Sequence, residues 1–289
     1  MELTTLVQQL LNGVVLGCSY ALVASGLTII FGVMDVLNLA HGEIYMLGAY
    51  FTFYLCTVFG LDYVLSLTLS ILAIMVLAVP LEKGLFGRTR GLMSATLLVS
   101  LGLSMVLQNV ALLVWGPGPR GIPTPYTYLT VNVGAVSLTA QRLLVLITSV
   151  ALMCAMHLFI QRTKTGRAIR ATAQNREAAA TLGINFALVY TATFAMGCGL
   201  AAAAGSLLGP IYYVSATMGF RPLLKSFAAV ILGGMGSIRG AISGALVLGM
   251  AEVIAIGYLT PKYSDAIAFL VIILVLSIKP TGLFGEKTR

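Results

Sequence analysis

Long stretches without a single formal charge constrain this chain more than any other feature. No Asp, Glu, Lys or Arg occurs between Glu2 and Asp35, between Glu43 and Asp62, or from Tyr63 to Leu81. The same holds from Gly91 to Pro119, from Leu143 to Gln161 and from Ala178 to Phe220. A helix needs roughly 20 apolar residues to cross about 30 Å of hydrocarbon. In lipid the backbone must satisfy its own hydrogen bonds, so such stretches become helices or the strands of a closed barrel. Barrel strands would run about 10 residues with alternating polarity, whereas these runs are longer and apolar on every face. Composition agrees, with 59% hydrophobic and 9% charged residues and a mean hydropathy of +1.00. A soluble domain carries roughly 25% charged residues, so an ordinary cytosolic enzyme and a nucleic-acid-binding tail protein are excluded. The fold class is all-α: a polytopic helical membrane protein with one membrane domain over residues 1–289.

The apolar segments fall near 6–31, 33–58, 62–81, 92–114, 140–160, 186–209, 223–258 and 264–278. The stretch 223–258 is too long for one span and is interrupted by GGMGSIRG (Gly233 to Gly240), which predicts a short half-helix, a turn and a full helix. The net charge of +8 does not point to nucleic acid, because the basic residues sit in a few connecting segments. Lys83, Arg88 and Arg90 lie in one, Arg162 to Arg176 in another, and Lys279, Lys287 and Arg289 in the last. The positive-inside rule makes all three cytoplasmic. Parity then puts the N-terminus outside and the C-terminus inside, with eight to nine membrane segments, nine passes being favoured. The first segment lacks the basic start and small-residue cleavage site of a secretory signal and is expected to stay in the protein.

Glycines spaced four apart recur within the spans: Gly13 and Gly17, Gly205 and Gly209, and Gly236, Gly240 and Gly244. Small residues at this spacing let helices approach closely in lipid, although glycine is also simply common in membrane helices. The four cysteines lie in apolar stretches without metal-ligand spacing and read as packing residues.

Polar groups at membrane depth are expensive, and each is a candidate for function. The richest cluster lies in GVMDVLNLAHGEIYMLGAY (Gly32 to Tyr50), where Asp35, Asn38, His41 and Glu43 separate two apolar runs. On a continuous helix Asp35, Asn38 and His41 would share an arc of about 120°, but Gly42 suggests that the helix unwinds. One reading is a discontinuous helix lining a polar substrate pathway. The other is a short turn between two helices, with Asn38 or Asp35 capping the second. Glu252, inside an apolar helix, either faces the pathway or pairs with a cation, and Lys225 and Arg239 are the other isolated charges.

The basic stretch from Gln161 to Asn185 reads as two short amphipathic helices, with Asn175 as an N-cap and Glu177 placed well against the helix dipole. It is either a membrane-surface element or a docking surface for a soluble partner. No GxxxxGK[ST], HExxH, GxSxG or CxxC pattern occurs. The chain therefore reads as a non-enzyme without catalytic residues, a metal site or a P-loop.

The segment GLTIIFGVMDVLNLAHGEIYMLGAY resembles the signature of the branched-chain amino acid ABC importer permeases. RAIRATAQNREAAATLGIN, ILGGMGSIRGAISGALVLGMAE and KPTGLFG resemble the same family in order and spacing, so the resemblance covers essentially the whole chain. It implies an inner-membrane transport subunit that works with a second, paralogous permease and two cytoplasmic ATPase subunits that hold ATP and Mg. A periplasmic or extracellular binding protein would deliver substrate. No cofactor is expected on this chain. The family's coupling loop carries Glu-Ala-Ala, three residues, then Gly. Glu177, Ala178, Ala179 and Gly183 match that pattern, and Arg167 and Arg170 share the loop. A downstream Ile-x-Leu-Pro is absent. Urea and short-chain amide permeases have a very similar Asn-x-Ala-His-Gly region, which keeps those substrates as an alternative. A stand-alone channel or secondary transporter is the remoter one.

Overall fold

The computed structural model describes residues 2–133 and 136–258, together with 266, 270, 273–275, 277, 279 and 282–284. The apolar segment expected at 264–278 lies mostly outside these. Two helices form the centre. α1 (Glu2–Met34) is 33 residues long, about 50 Å at 1.5 Å per residue, and 89% of its most apolar window is buried. α8 (Phe186–Tyr212) is buried over 67% of its window. Its run Ala201–Ala204 shows why, since small side chains let neighbouring backbones close in without voids.

The peripheral helices are α3 (Tyr63–Gly84), α4 (Met93–Trp115) and α5 (Ala140–Arg162). Their windows are 28%, 11% and 22% buried. They are apolar all round yet exposed, as lipid-facing helices must be. α2 (His41–Thr57) packs on α8, and α9 (Phe220–Gly233) with α10 (Ile238–Tyr258) closes the bundle against α1.

The glycine pairs sit at these crossings. A Cβ on Gly13 would lie 2.8 Å from the Met250 Cα, and one on Gly17 would lie 2.9 Å from the Leu246 Cα. α1 and α10 therefore meet backbone to backbone, antiparallel. Gly205 faces the Tyr45 carbonyl, Gly209 faces Ile122 and Val214, Gly240 faces Gly233, and Gly244 faces Ala229. Gly236 differs: nothing lies within 4 Å of its Cβ position, and its φ of +86° marks a turn residue.

Six helices among the described residues are long and apolar enough to cross a membrane. α2, with 17 residues, spans only about 25 Å, and α9, with 14, about 21 Å. The expected half-helix, turn and helix within 223–258 is present as α9, residues 234–237 and α10. Between α4 and α5 the chain forms an antiparallel ribbon of β1 (Thr130–Val133) and β2 (Val136–Thr139). Ser137 exchanges hydrogen bonds of 2.8 and 3.1 Å with Gln8 near the start of α1.

The basic connections gather at the other end. Arg90 lies 4.9 Å over the Tyr190 ring, and Arg176 lies 5.5 Å over the same ring. The α3–α4 connection thus meets α6 (Lys164–Gln174) and α7 (Arg176–Thr181) at the foot of α8. The start of α10 joins them, its Arg239 lining one cleft with Gln161 and Arg170.

Candidate functional site

α1 ends at Met34 because Asp35 takes a left-handed conformation, φ +54°, rare outside glycine. The next residues fold into a compact non-helical turn rather than a continued helix. Asn38 is fully buried; its Oδ1 accepts from Ala40 N at 3.1 Å, and its carbonyl accepts from His41 N at 3.3 Å. α2 then starts at His41, with Ala40 as N-cap and no side chain in the capping role. The turn and the polar cluster expected from the sequence are thus one structure, but neither Asn38 nor Asp35 caps α2.

Two serines of α4, a turn apart, secure this break. Ser100 Oγ accepts from Leu39 N and donates to the Leu37 carbonyl, both at 3.2 Å. Ser104 donates to Glu43 Oε1 at 3.3 Å. Nothing in the sequence of α4, which also carries Ser94, Thr96, Gln108 and Asn109, singles these two serines out. His41 is fully buried over Gly26 of α1, where a Cβ would stand 3.0 Å from its Nε2 and 2.6 Å from the Gly197 carbonyl of α8. The Val23 carbonyl faces the ring without reaching hydrogen-bond geometry.

Four polar atoms of the cluster lack a hydrogen bond among the described residues: Asn38 Nδ2, both His41 ring nitrogens and Glu43 Oε2. Asp35 stands apart, exposed at the end of α1. α9 completes the site. Gly42 and Gly219 touch so closely that a Cβ on Gly42 would lie 2.6 Å from the Gly219 carbonyl. The amino ends of α2 and α9 therefore converge, bringing two positive helix-dipole ends together. Glu43, in the first turn of α2, lies where a negative charge is favoured.

Glu252 belongs to a different cluster. One carboxylate oxygen pairs with Lys225 of α9, and the other accepts from Tyr20 Oη at 3.0 Å. Lys225 also lies 5.8 Å over the Tyr20 ring. Of the two readings of Glu252, pairing with a cation is the one the structure displays.

At the basic end, Thr163 caps α6 by accepting from Gly166 N at 2.9 Å, and Asn175 caps α7 by accepting from Ala178 N at 3.0 Å. Arg170 is turned back onto α5, donating to the Ile160 carbonyl at 2.6 Å and Gln161 Oε1 at 2.7 Å. Arg167, Glu177 and Ala178 are exposed, Ala179 is buried, and Gly183 ends the elbow at φ +72°. Leu182, 77% exposed, gives this elbow an apolar tip. Behind it Glu82, fully buried, pairs with Arg90 and accepts from Thr191 Oγ1 at 2.7 Å. That linkage was not foreseen, because its partners are far apart in sequence.

A bundle of apolar helices, broken by polar residues at depth and carrying a capped basic elbow, defines a helical membrane protein. Residues 9–276 match the family described as branched-chain amino acid transport system / permease component, and the chain belongs to that family. It is 36% identical to the high-affinity branched-chain amino acid transport system permease protein LivH of Escherichia coli (strain K12), over 96% of this chain and 95% of that one. It is 35% identical to BraD of Pseudomonas aeruginosa, a permease protein of the same description, over 99% and 97%. Among solved structures, a chain of PsaBC from Streptococcus pneumoniae in complex with Fab superposes with a TM-score of 0.51. That match covers 93% of this chain and 91% of that one at 14% identity, and bears on the fold alone.

Proposed function

We propose that this chain is the membrane subunit of an ATP-driven importer of branched-chain amino acids. The observation that carries this reading is the near full-length likeness to permeases whose names state that transport. The exposed elbow of α6 and α7 supports it, because a short capped helix pair is a rigid surface for a soluble partner. In this reading the basic end faces the cytoplasm, as the positive-inside rule requires, and two ATPase subunits grip Glu177, Ala178 and Gly183. A second permease and an external binding protein complete the assembly.

ATP binding can move the permease only by favouring one of its states over the other. Arg170 and the Arg176–Tyr190 contact then carry motion of the elbow into α5 and α8. The break at Asn38, His41 and Glu43 lines the path of the zwitterionic substrate, with the paired amino ends of α2 and α9 receiving its carboxylate as half-helix ends do in other transporters.

Uptake of labelled leucine into vesicles holding the full transporter, competed with urea and short amides, tests the substrate. Competition by urea rather than by isoleucine would transfer the chain to the amide-type reading. Glu177→Lys should leave the protein in the membrane while uptake falls at least tenfold and ATPase activity no longer responds to substrate. Unchanged uptake in that variant would remove the docking role of the elbow.

A further inference from the structure

At the end of the bundle opposite the basic loops, α1, α5, α8 and α10 enclose a cavity of about 170 Å³. This is below the roughly 300–1,000 Å³ of pockets for drug-sized ligands and suits a molecule the size of a free amino acid. Its lining is two-sided. Gln9, Asn12, Arg142 and Tyr212 are polar, while Val15, Leu208 and Ile256 belong to an apolar wall.

Arg142, half-buried, donates to Asn12 Oδ1, a neutral acceptor. Among the described residues no carboxylate lies within 4.0 Å of it, the ion pairs there being Arg90 with Glu82 and Lys225 with Glu252. Glu252, on the same stretch of α10 as the cavity wall, is committed to Lys225 and Tyr20. A guanidinium carries five donors in a planar fork that matches a carboxylate, and it holds its charge at every accessible pH. Set half-buried beside an apolar wall with a neutral amide as its hydrogen-bond partner, it has no carboxylate among the described residues to compensate its desolvation.

We propose that this cavity binds an α-amino acid with an aliphatic side chain. The carboxylate sits on Arg142 and Asn12, and the side chain lies against Val15, Leu208 and Ile256. Tyr212, the last residue of α8, lines the same cavity. The site is distinct from the break at Asn38 to Glu43, and it would be the first place in the membrane to receive substrate. The inference rests on the proposed function for the substrate class.

The test uses the full transporter in membrane vesicles, with Ile256→Cys in a Cys154→Ser background and a maleimide as reporter. Millimolar leucine should slow labelling at least threefold, and leucinol, which lacks the carboxylate, should not. Arg142→Gln should abolish the protection, and Arg142→Lys should retain part of it, which separates loss of charge from loss of fold. Equal protection by leucinol, or protection that survives Arg142→Gln, overturns the site. So does labelling that responds to the vesicles' phosphatidylglycerol content and not to leucine, which would make Arg142 a lipid anchor. Leucine uptake measured on the same vesicles keeps the two readings apart. Intact uptake without Arg142-dependent protection rejects only the cavity, whereas absent leucine uptake rejects the proposed function.

Discussion

Two of the polar clusters at membrane depth in this protein are built on opposite terms. Lys225, Glu252 and Tyr20 join α9, α10 and α1, and each Glu252 oxygen has its partner. Asn38, His41 and Glu43, in the break between α1 and α2, leave four buried polar atoms without one among the described residues. A paired cluster holds helices in place. An unpaired one costs stability, on the order of 1–3 kcal/mol for each unsatisfied group, and is tolerated where water or a ligand completes it. Equal expense in the sequence therefore conceals unequal use.

Removing one partner of the paired cluster should do the most damage. Glu252→Ala takes the carboxylate partner from the Lys225 ammonium, and a loss of about 3–5 kcal/mol is expected, read as a fall in thermal unfolding temperature of the detergent-solubilised protein. The double variant Glu252→Met with Lys225→Met should recover most of that loss, because both charges leave together. Failure of the double variant to recover would mean that the pair does more than hold helices.

Gly26→Ala probes the packing beneath the unpaired cluster. The added methyl meets the Gly197 carbonyl at 2.6 Å and the His41 ring at 3.0 Å, so a cost of about 1–3 kcal/mol is expected from overpacking. The same melting measurement checks it, and no shift would show that the α1–α8 crossing is loose. Ser104→Ala removes the hydrogen bond to Glu43 and should cost about 1 kcal/mol. His41→Leu should cost no stability, since it removes buried ring nitrogens that lack a hydrogen bond among the described residues. Leucine uptake should nevertheless drop at least tenfold. A large loss of stability in that variant would erase the contrast between the clusters.

The basic elbow was readable from the chain in detail, because its cues are local. Asn175, expected as an N-cap, caps the helix that begins next to it, and a cap needs only its own first turn; Thr163 does the same for α6 without having been foreseen. The membrane break was readable only in outline. The run from Asp35 to Glu43 announced a polar interruption, but not that Asp35 would twist out to the surface while Asn38 and His41 sank to full burial. That separation follows from the left-handed turn at Asp35 and from Ser100 of α4, which no local pattern specifies. Glycine spacing likewise marked close approach without naming partners, and it could not tell Gly236, a turn residue, from Gly240, a packing one.

What the chain settled unaided was its solvent and its fold class. Charge-free runs this long and apolar on every face satisfy their backbones in lipid as helices rather than as barrel strands, and that conclusion needs no knowledge of which helix touches which. Tertiary structure alone decided which polar residues meet. Lys225 and Glu252 are 27 positions apart and Glu82 and Thr191 are 109 apart, and only the packing of whole helices brings such partners within bonding distance. Electrostatic pairing and the absence of pairing are properties of distance in space, and so the difference between a helix tie and a candidate substrate site appears only in the folded bundle.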